Sequence, residues 1–134
     1  MKKNRRGFPN IWVLLLSCVC LVLSAEVRAE GVQARYLENS AGRSVLEIII
    51  ENPAPSSIIV NQRIPGGIQV RSASPEYSKF SSGKNEAKWL FKNPAPGVQH
   101  IILNYKSPLP GRGATAVIRC KSPKDGSLMT INVE

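Results

Sequence analysis

The sequence predicts an all-β protein, a single antiparallel β-sandwich of about seven to eight strands that follows an N-terminal export signal. Three observations carry this. Apolar residues recur with period two and nowhere at helical spacing, ten Pro and ten Gly cut the chain into mostly short runs, and 43% apolar against 20% charged residues is globular composition. At 134 residues, the chain allows one compact domain.

The leader is read first because it changes the charge. Lys2, Lys3, Arg5 and Arg6 precede an apolar run from Ile11 to Leu23, short for a membrane span and right for the core of a signal peptide. Val27-Arg28-Ala29 offers small residues at the two positions a signal peptidase accepts, so residues 1–29 are expected to be removed after Ala29. Leu23-Ser24-Ala25 is the weaker cleavage point. A lipoprotein alternative rests on Leu15-Leu16-Ser17-Cys18, with Cys18 as the lipidated residue, but the run stays apolar through Val19-Cys20-Leu21-Val22-Leu23 where a mature lipoprotein turns polar.

The whole chain carries +9, from 18 basic and 9 acidic residues. Losing residues 1–29 removes five basic residues and one acid, which leaves residues 30–134 at +5. The remaining cations, among them Arg63, Arg71, Lys79, Lys84, Lys88 and Lys92, are scattered along the sequence with no run of like charge. A nucleic-acid surface built on clustered cations and stacking aromatics is therefore not expected.

Strands are assigned in chain order. Val32 to Glu38 opens the domain, and Leu46, Ile48 and Ile50 then alternate with Glu47 and Glu51. Ile58-Ile59-Val60 begins a strand that Ile64-Pro65-Gly66-Gly67 ends, because Pro fixes φ and the glycines permit turn geometry. Ile68 to Arg71 alternates next, and Tyr77 to Asn85 is polar and reads as an exposed loop. Trp89 and Phe91 stand in step within Ala87 to Lys92; Ile101, Leu103 and Tyr105 do so within Val98 to Lys106. Ala116, Ile118 and Cys120 alternate within Thr115 to Lys121, and Leu128 to Val133 closes the chain. The predicted core is Leu46, Ile48, Ile50, Trp89, Ile101, Leu103 and Cys120. Asn52-Pro53-Ala54-Pro55 and Asn93-Pro94-Ala95-Pro96 each follow a strand and read as corners where the chain crosses between sheets.

Chemistry-bearing residues are few. His100 and Asp125 are the chain's one His and one Asp, and neither comes with a nucleophile-elbow sequence, so a hydrolase triad is disfavoured. Cys120 is the one thiol left after processing, so no internal disulfide is expected, and its parity with Ala116 and Ile118 predicts a buried, inert side chain. No spaced set of His, Cys and carboxylates points to a metal, and no motif points to a cofactor. A module that binds or supports, rather than an enzyme, is the expectation.

With these motifs in order, residues 45–118 resemble the conserved-repeat, Ig-like modules of unknown function found in bacterial exported and surface proteins. The matching features are the apolar strand Leu46 to Ile50, the corner Asn52 to Pro55, Val60 to Gly67 ending in Ile64-Pro65-Gly66-Gly67, Val70 to Ser74, Trp89-Leu90, and Pro96-Gly97. Gln62 stands where those modules usually carry Asp. The resemblance implies an Ig-like sandwich in the periplasm or at the cell surface and says little about its ligand; binding of a protein or an envelope component through exposed edges and loops is the expectation. A periplasmic assembly factor or chaperone that works by pairing strands is the alternative within the same fold.

Overall fold

The computed structural model describes Val27–Ala29 and residues 31–134, with side chains from residue 31 onward. The apolar run of the leader, Cys18 and Glu30 lie outside the described residues. Nine strands and no helix are present among the described residues: β1 (Val27–Ala29), β2 (Val32–Ile50), β3 (Ser57–Arg63), β4 (Val70–Ser74), β5 (Lys79–Ser81), β6 (Glu86–Lys92), β7 (Gly97–Leu109), β8 (Thr115–Lys121) and β9 (Leu128–Val133). They form two antiparallel sheets, one in the order β1-β2-β7-β4 and the other β5-β6-β3-β8-β9. The protein is an all-β sandwich.

The predicted strands Val32–Glu38 and Val45–Glu51 are the two halves of the 19-residue β2. A straight strand of that length would hold its ends about 60 Å apart. Instead Glu51 N donates to the Gly31 carbonyl at 2.9 Å and Arg35 meets Glu47 at 3.0 Å, so the two halves lie side by side. The bend falls near Ala41, whose φ is +53°, and beside the irregularity in the pairing of Ala41 and Arg43 with β7.

Alternation then builds the core. Leu46, Ile48, Ile50, Ile101, Leu103 and Tyr105 face inward from one sheet, and Ile58, Val60, Trp89, Ile118, Cys120 and Ile131 face inward from the other. Each large apolar side chain buried in this way stabilises the fold by roughly 1.5–3 kcal/mol before conformational entropy is counted. Both Asn-Pro-Ala-Pro segments are sheet crossings: Asn52 to Pro55 links β2 to β3, and Asn93 to Pro96 links β6 to β7. Asn93 N donates to the Ser56 carbonyl at 2.7 Å, which ties the second corner to the first.

Two expectations need correction. Tyr77 to Asn85 is not a free loop, because it holds the edge strand β5, which pairs with β6, and Tyr77 packs its ring on Phe80 at 5.4 Å between centroids. A three-residue edge strand is too short to show a period-two signal. Ile68 and Gln69 lie in the β3–β4 connection rather than in a strand, since the three hydrogen bonds of Asn85 described below hold the chain in a loop up to Ile68.

Candidate functional site

The residues with catalytic potential are kept apart. His100 projects from β7 on the outer face of the first sheet, and its Nε2 lies 3.1 Å from Glu47 Oε2. Arg35 Nε bonds the other oxygen of Glu47 at 3.0 Å. The His100 hydrogen bond, aided by Arg35, holds the Glu47 carboxyl below the usual carboxylate range, against a smaller opposing effect of burial. Asp125 belongs to the β8–β9 turn on the other sheet, where it accepts hydrogen bonds from Ser127 N at 2.9 Å and Ser127 Oγ at 2.7 Å, which lower its pKa. His100 and Asp125 therefore sit in separate hydrogen-bond groups. Among the described residues no three His, Cys, Asp or Glu gather where a metal ion could bind.

Cys120 is 2% exposed, between Ile58 and Met129 of the neighbouring strands, and burial pushes its thiol pKa up. Trp89 is buried, its Nε1 donates to the Pro75 carbonyl at 2.9 Å, and the Tyr77 ring meets it edge-on at 6.2 Å. Gln62, where the resembling modules carry Asp, is wholly buried and accepts the Tyr36 hydroxyl at 2.9 Å.

The best-built concavity lies at one end of the sandwich, where the β3–β4, β5–β6 and β7–β8 connections meet around a cleft of about 820 Å³. Asn85 organises it. With φ at +50°, a conformation Asn tolerates better than most residues, Asn85 aims Nδ2 at the carbonyls of Ile64 (3.2 Å), Pro65 (3.0 Å) and Ile68 (3.1 Å). Ile64 N returns a bond to the Asn85 carbonyl at 2.9 Å. The β7–β8 wall is fixed by Asn39, whose side chain bonds both Ala114 O (2.7 Å) and Ala114 N (2.9 Å), as a neighbouring strand would. Gly113 beside it has φ at +66°, and a Cβ there would lie 2.6 Å from Asn39. Only glycine fits.

Arg63, Lys84 and Arg112 line this cleft. Glu86, 3.9 Å from Arg63, is the one carboxylate within ion-pair distance of these cations among the described residues. The cleft thus combines a fixed polar floor with positive charge, an arrangement suited to holding an anionic or hydrogen-bonding group. The opposite end is a proline-lined surface in which Pro53, Pro55, Pro94 and Pro123 surround a smaller depression of about 590 Å³.

Asn85 and Asn39 went unnoticed in the sequence because their partners are backbone atoms of segments far along the chain. The local signal was present for Asn85 alone, as Asn within the polar stretch Ser82-Gly83-Lys84-Asn85. No protein-family model matches the chain, and no curated protein or solved structure matches it.

Proposed function

We propose that this chain is a small exported Ig-like module of the bacterial envelope that binds a protein or an envelope component, in the periplasm or at the cell surface. The observation that carries the reading is the cleft at the β3–β4, β5–β6 and β7–β8 end, prearranged by Asn85 and lined by Arg63, Lys84 and Arg112. Loops fixed on a rigid sandwich are a common place for recognition. Capture from the native envelope fraction by the processed domain, with partners identified by mass spectrometry, tests it. The double variant Lys84→Glu, Arg112→Glu is expected to lose the partner that the wild-type domain retains; an unchanged partner set removes the cleft from consideration.

A second reading, assembly by strand pairing, is favoured by where processing falls. Ala29, the expected end of the leader, is also the last residue of β1, which pairs with Val32 to Ala34 of β2. Cleavage there would leave that edge of β2 open to a partner's strand. Intact-mass measurement of the exported chain fixes the start: a mass beginning at Glu30 supports the open edge, a start at Glu26 keeps β1, and added lipid on Cys18 replaces both with an anchored form. Ala34→Pro, which removes a backbone donor that faces the β1 position, would then abolish capture if the partner pairs along β2.

A further inference from the structure

The second sheet gathers charge that the sequence scatters. Because side chains alternate across a strand and directly paired residues share a face, one surface of β5-β6-β3-β8-β9 presents Lys79, Lys88, Lys92, Arg63, Arg119 and Lys121. All six are exposed. Glu86 is the one carboxylate these strands turn to that face, and it lies 3.9 Å from Arg63. Lys79 and Lys88 stand directly opposite each other, a like-charge pair that costs the sheet stability and that the fold itself does not require.

The cations are spread in two dimensions, on four of five strands that together span about 19 Å. They surround a centre of half-buried Ile59 and Val117 and exposed Leu90, with Leu128, 68% exposed, at the margin. The outer face of the other sheet differs, since Glu47 there is bonded to both Arg35 and His100 and Glu38 lies near Arg43. A second copy laid face to face would oppose six cations with six cations, so the charge excludes self-pairing through this surface. A thread-like polymer would meet one row of the array, whereas a flat anionic surface meets all of it.

We propose that the outer face of the second sheet docks the exported domain on an anionic lipid bilayer surface, with the Lys and Arg heads at the phosphate level and Leu90 and Leu128 against the interface. The proposal rests on the envelope reading above for the compartment alone; it uses a different surface from the cleft, so the two can fail separately.

The test is flotation of the processed chain, its start verified by mass, with vesicles of phosphatidylcholine alone or with one third phosphatidylglycerol. Binding to the phosphatidylglycerol vesicles and not to phosphatidylcholine is expected. Neutralising two face cations in Lys88→Gln, Arg119→Gln should weaken it about 25-fold, at about fivefold per charge, while Arg71→Gln, Lys106→Gln, with the same charge change off the face, should bind nearly as wild type. Circular dichroism verifies that the variants fold. Absence of binding to phosphatidylglycerol vesicles, or equal loss in both double variants, overturns the proposal. Retention on immobilised polyglutamate without vesicle binding also overturns it, and points to an acidic protein instead.

Discussion

At the scale of single residues, burial sets the behaviour of the Cys120 thiol and hydrogen bonding that of the Glu47 carboxyl. Cys120 is enclosed by core side chains and its thiol is harder to ionise than a free one, and the thiolate is the reactive form. An aromatic disulfide reagent at neutral pH should leave the folded domain unmodified for as long as denaturant-unfolded chain takes to react fully; rapid labelling of the native form would refute the burial. Glu47 gives a pH dependence. Its hydrogen bond to His100 and its pairing with Arg35 keep it charged in the folded chain at a pH where it protonates in the unfolded one. A folded-state pKa lowered in this way contributes stability that is complete above the ordinary carboxylate range and is lost as the pH falls through the folded value. Melting temperature should therefore drop on acidification below about pH 4.5, and Glu47→Gln should flatten that decline. A variant that tracks the wild type throughout would show that the interaction adds nothing in solution.

Among the elements, turns and corners divide into those that residue types announce and those that distant partners decide. The two Asn-Pro-Ala-Pro segments were readable as sheet crossings because Pro ends ladder pairing wherever it falls. The β3–β4 connection was readable only as a turn at Pro65-Gly66-Gly67, since what fixes it is the side chain of Asn85, about twenty residues later. Asn85→Ala removes three hydrogen bonds to carbonyls and places a β-carbon residue without Asn's tolerance at φ +50°. It should destabilise the domain by about 2 kcal/mol and raise hydrogen exchange in residues 64–69 beforehand. A loss within measurement error would mean that the loop is held by its own backbone. β5 escaped detection for the reason that hides most edge strands: with one neighbour and three residues, it has little apolar pattern to display.

For the whole molecule, a single core joins both sheets and includes the buried Trp89. Trp12 and Trp89 are the chain's two tryptophans, so the form processed after Ala29 reports through Trp89 alone. Its emission should be blue-shifted in the native state and move to the red in one transition that coincides with the loss of far-ultraviolet dichroism. A native spectrum typical of water-exposed indole, or two separated transitions, would contradict one shared core.

Alternation of apolar residues in short runs was enough to determine the fold class, the strands from β3 onward within a few residues with the exception of β5, and which side chains face inward, because period two is a local property of the extended chain. The distribution of charge was not. Lys79, Lys88, Arg63, Arg119 and Lys121 are spread over some sixty residues, and only the crossing order that places β5-β6-β3-β8-β9 side by side brings them onto one face. The cleft has the same origin, since its floor is an Asn side chain from one connection bonded to the backbone of another. Burial patterning acts between neighbours in sequence, whereas these surfaces depend on pairing across long separations, which is decided when the two sheets close over the common core.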